Sequence, residues 1–205
     1  MSLPIEIGRL QRPVVALVRP ALSLYFSFEV RGTQHVPRRG PAILAPKHDS
    51  MWDVPFVGVS SPRTVLFMAK QDVFGTPVKR WFFTELGGFP VRRSRGDAAA
   101  MRAARAVLRS GRVLGIFPEG TRHPGGLGPL HGGAARLALA TGAPLIPVGV
   151  RGTGEIWSGR APRPVRVTVT FGAPLDPPPA HGPARERAGA LTENLGRAIE
   201  RLSVR

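Results

Sequence analysis

His48 and Asp53 are the residues of this sequence best suited to acid–base chemistry. They lie in the segment HDSMWD, directly after an apolar stretch that predicts a strand. Residues five apart would lie about 140° apart around a helix and about 16 Å apart along a strand. Neither regular element lets the two side chains meet, but a strand-to-helix turn does, with Asp49 or Ser50 capping the helix. A histidine oriented by a carboxylate is the general-base half of a catalytic triad.

The sequence offers no enzyme nucleophile to accompany this base. It contains no cysteine and no Gly-x-Ser-x-Gly turn, which are common carriers of covalent catalysis. We therefore expect His48, if catalytic, to act on a substrate hydroxyl. The alternative is a structural histidine, because a His-x4-Asp pattern alone is weak. The lack of cysteine also excludes disulfides and zinc–thiolate sites.

The segment FPEGTR (117–122) also follows an apolar stretch. Pro118 and Gly120 favour a sharp turn that presents Glu119 and Arg122 at a strand end. A salt-bridged structural turn is the alternative. Because this turn and the His48 turn each follow a strand, we expect both to open onto one face, where α/β sheets bind ligands.

Two more segments combine short apolar strands with residues of functional interest. GGFPVRR (87–93) ends in two arginines, which suit bidentate phosphate binding, although a solvated surface pair explains them equally well. APLIPV (143–148) predicts either one wall of an apolar slot or plain core, and core is favoured.

Strands alternate with helices around these segments. Strands are predicted at 42–45, 64–69, 88–92, 113–117, 145–150 and 165–171, and helices at 97–109, 132–141 and 184–203. Asp97 is expected to cap the first of these helices and Gly111 to end it. The pattern predicts an α/β fold, a single domain with a mixed, mostly parallel central sheet flanked by helices.

The N-terminal part of the chain is apolar but interrupted by arginines and prolines. Residues 13–28 predict short helices broken near Pro20, with arginines on both sides that could meet lipid phosphates. We therefore expect 1–30 to be an amphipathic membrane-association segment and 31–205 to be the catalytic domain; a pair of core-packing helices is the alternative. No apolar run approaches the roughly 18–20 residues of a spanning helix.

The charge balance is strongly basic, with 29 Lys and Arg against 13 Asp and Glu, a net charge of +16. Such an excess favours a polyanionic partner: nucleic acid, anionic lipid or a phosphorylated substrate. Charge alone does not choose between nucleic acid and membrane. Aromatic residues make up only 7% of the chain and no nucleic-acid-binding motif is visible, so we expect no nucleic-acid partner.

The four segments HDSMWD, GGFPVRR, FPEGTR and APLIPV, in this order, resemble the four blocks of the glycerolipid acyltransferase family, typified by 1-acyl-sn-glycerol-3-phosphate acyltransferases. They span residues 48–148, about the central half of the chain. The lead-in EVRGTQHVPRRGPAIL (29–44) is also similar to the family's pattern.

This resemblance implies a role for each matching residue. His48 would be the general base and Asp53 would hold its tautomer. The acceptor's glycerol phosphate would be bound by Lys47, Arg93, Glu119, Gly120, Thr121 and Arg122. The acyl-donor path would run beside Pro144, Ile146 and Pro147. Two departures concern the acceptor: Lys47 stands where Asn is common, and His131-Gly132 replaces a frequently lysine-rich turn.

The resemblance further implies a peripheral enzyme of phospholipid biosynthesis on the cytoplasmic face of the cell membrane. Its donor would be an acyl-CoA or acyl carrier protein thioester and its acceptor a lysophospholipid, first of all 1-acyl-sn-glycerol-3-phosphate, giving phosphatidic acid. No metal or prosthetic group is expected. Two alternatives stay open: acylation of another lyso-lipid, such as a lyso-glycolipid or lyso-ornithine lipid, and a catalytically inactive lipid-binding relative.

Overall fold

Seven strands form one sheet in the computed structural model, which describes residues 11–91, 98–157, 161–177 and 181–204. The strands are β1 (Ser27–Arg31), β2 (Ala42–Pro46), β3 (Val65–Lys70), β4 (Gly88–Val91), β5 (Val113–Gly115), β6 (Leu145–Arg151) and β7 (Arg166–Phe171). Their order across the sheet is β1-β7-β6-β2-β5-β3-β4. Every neighbouring pair is parallel except β6 and β7. The expected mixed, mostly parallel sheet is confirmed.

Among the described residues, six α-helices pack around the sheet. They are α1 (Gln11–Tyr25), α2 (Asp53–Ser60), α3 (Pro77–Glu85), α4 (Ala98–Arg109), α5 (Gly133–Thr141) and α6 (Ala184–Val204). Side chains of α4, α5 and α6 belong to one core cluster, and side chains of α1 and α2 belong to another. Strand β2 contributes alternate residues to the two clusters, Ile43 to one and Leu44 to the other, as the two-residue period of a strand requires.

The connections after β2 and β5 leave the sheet on opposite faces. Strand β2 leads into α2, whose Phe56 and Val57 are buried in the cluster with α1. Strand β5 leads towards α5, whose Ala134 and Leu137 are buried in the other cluster. Because β2 and β5 are parallel neighbours, their carboxyl ends form a topological switch point, the place where α/β sheets usually bind ligands.

The N-terminal segment differs from the expectation of short helices broken near Pro20. One continuous helix, α1, includes Pro20. Proline removes only one intrahelical hydrogen bond, and packing holds the helix on both sides of it, through partly buried Val15 and Val18 before it and buried Leu22 after it. Among the described residues, none of the helices combines the length and apolarity needed to cross a bilayer.

The remaining elements follow the sequence expectations closely, with two omissions. The six predicted strands and three predicted helices are present. The helix closure at Gly111 is confirmed, since its φ is +73° and its N–H bonds to the carbonyl of Leu108. The expected Asp97 cap and Arg92 lie outside the described residues. Strand β1 and helix α3 were not predicted, and β1 contains the expected boundary at residue 30.

Candidate active site

His48 lies at the carboxyl end of β2, where the loop after β5 holds its backbone on both sides. Its N–H donates to Oε1 of Glu119 at 2.7 Å. Its carbonyl accepts from the N–H of His123 at 2.8 Å. The two segments that sequence analysis placed on one face therefore meet directly, and the position of the imidazole depends on both.

The side chain of His48 is paired with Asp53. Nδ1 of the ring lies 2.9 Å from Oδ2 of Asp53. The backbone N–H of Ser50 donates to the same oxygen at 2.8 Å, and the hydroxyl of Thr153 donates to Oδ1 at 2.5 Å. Asp53 is fully buried, so these three donors replace the water that its carboxylate would otherwise bind.

The turn between β2 and α2 is what brings the pair together. Asp53 is the first residue of α2, and its N–H bonds to the carbonyl of Ser50. Ser50 caps this turn, as one of the two expected residues: its hydroxyl accepts from the N–H of Trp52 at 3.4 Å, although the regular helix begins only at Asp53. The carboxylate of Asp53 folds back onto the turn, where its Oδ2 accepts from the N–H of Ser50 and also contacts the imidazole of His48.

The hydrogen bonds around Asp53 define the chemistry of the imidazole. A carboxylate that receives three donors is an acceptor at each contact. The neutral ring then carries its proton on Nδ1, which leaves the Nε2 lone pair free to take a proton. The His48 side chain is 17% exposed, so the ring is fixed from one side and accessible from the other. A general base needs a ring that is held at one nitrogen and accessible at the other, and the role of His48 as that base stays a prediction.

Phe117 packs against the imidazole of His48. Its ring centroid lies 4.0 Å from that of His48 with the planes 27° apart, a stacked contact. Phe117 also stacks on Phe67 of β3 at 6.0 Å. Gly115 makes this possible, because a Cβ there would lie only 2.3 Å from the Phe67 ring. The stack restricts rotation of the imidazole and joins it to the core.

Glu119 is a buried carboxylate with both oxygens occupied. It is 1% exposed; Oε1 accepts from His48 and Oε2 accepts from the N–H of Gly128 at 2.8 Å. The next residue, Gly120, has a φ of +69°, which favours glycine, and a Cβ there would lie 3.0 Å from the His131 ring. The FPEGTR segment therefore forms a fixed turn against the backbone of His48.

The other residues with a predicted substrate role take varied positions. Thr121 and Arg122 are exposed on the FPEGTR turn, and Gly120 is half-buried. Lys47 is 8% exposed and its ammonium pairs with Asp49 at 2.6 Å. Arg93 lies outside the described residues. Their roles in binding the acceptor stay predictions.

The APLIPV segment lies where its core interpretation placed it. Ile146 and Pro147 are buried in β6, and Pro144 before it is half-buried. Ile146 belongs to the core cluster on the side of α1 and α2. Its predicted place beside the acyl-donor path stays a prediction. Among the described residues, no three His, Asp or Glu side chains converge as a metal-binding group.

The sequence motifs gave no role to Thr153, which contacts Asp53, and did not reveal that Phe117 stacks on His48. Thr153 is fully buried and follows β6 in the stretch Arg151-Gly152-Thr153-Gly154. Two glycines directly after a strand were the available signal, since Gly152 adopts a φ of +82° and begins the turn that directs Thr153 inward. Phe117 stood within the FPEGTR segment, but its sequence position does not reveal the stack on His48.

A family model described as Acyltransferase matches residues 27–151. This range contains β1 to β6 together with His48, Asp53 and Glu119. The chain belongs to the acyltransferase family. Its resemblance to the glycerolipid branch, suggested by the four motifs, agrees with individual relatives.

Three of these relatives cover different shares of the acyltransferase. A 1-acyl-sn-glycerol-3-phosphate acyltransferase of Bacillus subtilis (strain 168) is 30% identical over 184 residues, 88% of this chain and 90% of the relative. A lyso-ornithine lipid O-acyltransferase of Pseudomonas aeruginosa is 35% identical over 125 residues, 60% of this chain and 47% of the relative. The crystal structure of the 1-acyl-sn-glycerophosphate (LPA) acyltransferase PlsC from Thermotoga maritima superposes with a TM-score of 0.76 at 26% identity, covering 96% of this chain and 80% of that one.

Proposed function

We propose that this acyltransferase moves a fatty acyl group from a thioester donor to the free hydroxyl of a lysophospholipid. The donor is acyl-CoA or acyl carrier protein thioester, and the first acceptor to consider is 1-acyl-sn-glycerol-3-phosphate, which would give phosphatidic acid. The observation that carries this proposal is the His48–Asp53 pair, in which Asp53 occupies Nδ1 and Nε2 is left to act as base. The similarity to the Bacillus subtilis enzyme over nearly its whole length supports the acceptor.

In the proposed reaction, Nε2 of His48 takes the proton of the acceptor hydroxyl while that oxygen attacks the thioester carbonyl carbon. The tetrahedral intermediate then collapses, the new C–O ester bond remains, and the C–S bond breaks. The proton passes from the imidazolium to the departing thiolate, so the products are an ester and a free thiol. A positioned base contributes about 10²–10⁴-fold to such a rate, and Asp53 stabilises the imidazolium.

The intermediate's oxyanion needs hydrogen-bond donors, and we propose the turn after His48 as their source. Three N–H groups of this turn are used internally, because Ser50 donates to Asp53, Trp52 donates to the hydroxyl of Ser50 and Asp53 donates to the carbonyl of Ser50. The N–H groups of Asp49 and Met51 are the remaining candidates. No metal or prosthetic group takes part in this scheme.

Phosphate recognition is proposed for the cationic residues around the topological switch point. Arg122 is exposed on the turn that holds His48, and guanidinium groups bind phosphate oxygens in pairs. Arg93 stays a further candidate on the strength of its motif. Lys47 is held by Asp49, so its contribution would be a fixed positive charge near the acceptor and not a flexible contact.

Lyso-ornithine lipid is the second acceptor that we propose, because one relative is named for it. The Pseudomonas aeruginosa lyso-ornithine lipid O-acyltransferase reaches 35% identity, although over a shorter stretch. The dyad acts on a hydroxyl in either lipid, so the head group decides between them. The inactive-relative alternative is disfavoured by the intact hydrogen bonds around Asp53.

The test is an acceptor screen with purified enzyme and acyl-CoA, followed by release of free thiol and by chromatography of the lipid product. Lysophosphatidic acid should be acylated fastest if the acceptor proposal is right. Faster acylation of lyso-ornithine lipid would make that lipid the proposed acceptor and would leave the proposed acyl-transfer mechanism unchanged. No thiol release with any lyso-lipid, with either acyl-CoA or acyl carrier protein as donor, would refute the proposed function.

We also propose a peripheral position on the cytoplasmic face of the cell membrane, with α1 lying in the lipid interface. Leu17 and Leu24 of α1 are 75% and 91% exposed, while Leu22 packs in the core. A helix anchored on one side and apolar on the other suits an interfacial position. Sedimentation with vesicles that contain phosphatidylglycerol tests this; equal recovery with and without vesicles would contradict it.

A further inference from the structure

Helix α3 carries large hydrophobic side chains on its outward face. Val78, Trp81 and Phe82 are 75%, 56% and 49% exposed. Their spacing of three and four residues puts them side by side on one face of the helix. The opposite side of α3 is fixed by Phe83, whose ring contacts Phe74 edge-to-face, and the helix ends in buried Glu85. The outward face is therefore held in a defined direction.

Most of the other exposed large hydrophobic side chains lie on α1 or in the turn after His48. Helix α3 contacts α1, and Met51, in the turn after His48, is 63% exposed. Eight large hydrophobic side chains are exposed among the described residues, and all but Trp157 lie on α1, on α3 or in this turn: Leu17, Leu24, Tyr25, Met51, Val78, Trp81 and Phe82. Contiguous apolar patches on a protein surface mark sites of interaction.

The charges around this patch are positive. Lys79 and Arg80 are exposed on α3, and Arg19 is exposed on α1. Helix α1 contains no acidic residue, and the one acidic residue of α3, Glu85, is buried. Asp72 lies on the preceding 3₁₀ helix (Gln71–Phe74), at the edge of the patch. Tryptophan beside basic residues is typical of the membrane–water interface.

We propose that α3 is a second membrane-contacting element, which together with α1 places the enzyme on an anionic lipid bilayer. This inference rests on the proposed function, because it names the surface from which the lipid acceptor would arrive. Val78, Trp81 and Phe82 enter the boundary between headgroups and acyl chains, and Lys79 and Arg80 meet lipid phosphates. Met51 extends the contact to the turn that carries His48, so an acceptor reaches the base without leaving the bilayer.

A bilayer fits the patch better than an acidic protein partner does. Two helices and a loop contribute to the patch, and its members are mostly apolar side chains. An acidic carrier protein would be recognised chiefly through Arg and Lys. Substituting only the apolar residues therefore distinguishes binding to a bilayer from binding to an acidic protein.

The first experiment uses the absence of cysteine from the chain. Val78→Cys provides one thiol for an environment-sensitive nitrobenzoxadiazole label, and Arg105→Cys, exposed on α4 across the sheet, is the matched control. Vesicles of phosphatidylcholine with phosphatidylglycerol should shift the Val78→Cys emission to the blue and leave the control unchanged. Vesicle binding without a blue shift at position 78 would overturn the role of α3 while leaving the proposed function intact.

The second experiment compares Trp81→Ala/Phe82→Ala with wild type in vesicle sedimentation. Loss of two interfacial aromatic side chains should weaken partitioning about tenfold or more. Lys79→Ala/Arg80→Ala should weaken it by a similar factor at low salt, whereas Arg102→Ala/Arg105→Ala, with the same change in charge on α4, should not. Thiol release from a short-chain, water-soluble donor and acceptor should persist in each variant, which shows that the fold and the dyad are retained.

Two results would overturn the proposal. One is wild-type partitioning of Trp81→Ala/Phe82→Ala onto anionic vesicles. The other is unchanged vesicle partitioning together with weakened binding to acyl carrier protein, which would assign the patch to that partner. Failure of wild-type enzyme to acylate any lyso-lipid, with vesicle binding intact, would count against the proposed function and not against the contact of α3.

Discussion

The backbone N–H of His48 donates to Oε1 of Glu119 at 2.7 Å, and Oε2 of the same carboxylate holds the N–H of Gly128 at 2.8 Å. One buried carboxylate thus joins the end of β2 to the loop after β5. The motif resemblance gives Glu119 a place in acceptor binding. Its contacts give it a second role, which is to position the backbone of His48.

Glu119→Gln is expected to lower both stability and kcat while changing the KM for the acceptor little. The amide keeps the size of the side chain, but its NH₂ group must face the N–H of either His48 or Gly128, and two donors cannot bond to each other. Leaving a buried donor unsatisfied costs about 1–3 kcal/mol. Urea unfolding measures the stability, and thiol release at varied acceptor concentration separates kcat from KM. A raised KM with normal stability and kcat would show that acceptor binding is the main role of Glu119.

Thr153→Val is expected to reduce kcat through Asp53 and not through direct contact with substrate. Valine keeps the shape of the side chain but removes the hydroxyl that donates to Oδ1. Because a hydrogen bond to a charged group contributes about 1.5–3 kcal/mol, a loss of stability of that order should accompany the lower kcat. Thr153→Ser should restore most of both. Equal defects in Thr153→Ser and Thr153→Val would indicate that the methyl group matters and not the hydroxyl.

His48→Ala should lower acyl transfer by about 10²–10⁴-fold, the usual contribution of a positioned base. Asp53→Asn should also lower it, because an amide can donate to Nδ1 and so favour the wrong tautomer. Transfer is measured with a radiolabelled donor. His181→Ala, exposed in the segment before α6, is the matched control and should retain full turnover. Near-native turnover of folded His48→Ala would contradict the mechanism.

Arg63→Ala is expected to destabilise the fold while leaving the dyad intact. The guanidinium donates to the carbonyls of Pro37 at 2.9 Å, Gly40 at 2.7 Å and Gly111 at 2.7 Å. It therefore links its own loop, which precedes β3, to the loops that precede β2 and β5. Removing it leaves carbonyls without their donor, which costs about 1–3 kcal/mol for a buried group. Thermal unfolding measures the change against Arg102→Ala, and turnover well below the melting temperature should match wild type.

The pH dependence of the Arg63→Ala effect follows from its environment. Burial lowers the pKa of Arg63, so the charged form is disfavoured in the folded protein relative to the unfolded chain. The free-energy penalty of burying the charge is present while Arg63 is protonated in both the folded and the unfolded protein. It decreases only as the pH rises through the lowered pKa of the folded state. Ordinary arginine titrates above about pH 12, so the difference between Arg63→Ala and wild type should be constant across about pH 6 to 9. A strong pH dependence there would point to another group.

Sequence patterns predicted most of the fold because each buried strand forms a short apolar run between helical patterns. Two elements escaped for opposite reasons. Strand β1 lies at the edge of the sheet and has no fully buried residue, so its pattern of apolar residues is weak. Helix α3 exposes Trp81 and Phe82, so its apolar residues do not mark an inward face.

The active site was predictable to the extent that it is local. His48 and Asp53 share one turn, and their spacing alone excluded a regular helix or strand. Thr153 lies 100 residues from Asp53, and their contact exists because β6 pairs with β2. No local pattern specifies which strands become neighbours, so this third partner required the structure.

The late position of Thr153 has a consequence for biosynthesis. The four recognisable motifs end at residue 148, yet the carboxylate of Asp53 receives its third donor from residue 153, at the turn that follows β6. Strand β6 also lies between β2 and β7 in the sheet. A nascent chain on the ribosome therefore displays every motif before it can assemble the complete dyad, and we expect acyl transfer to begin only once the segment beyond β6 has emerged and folded.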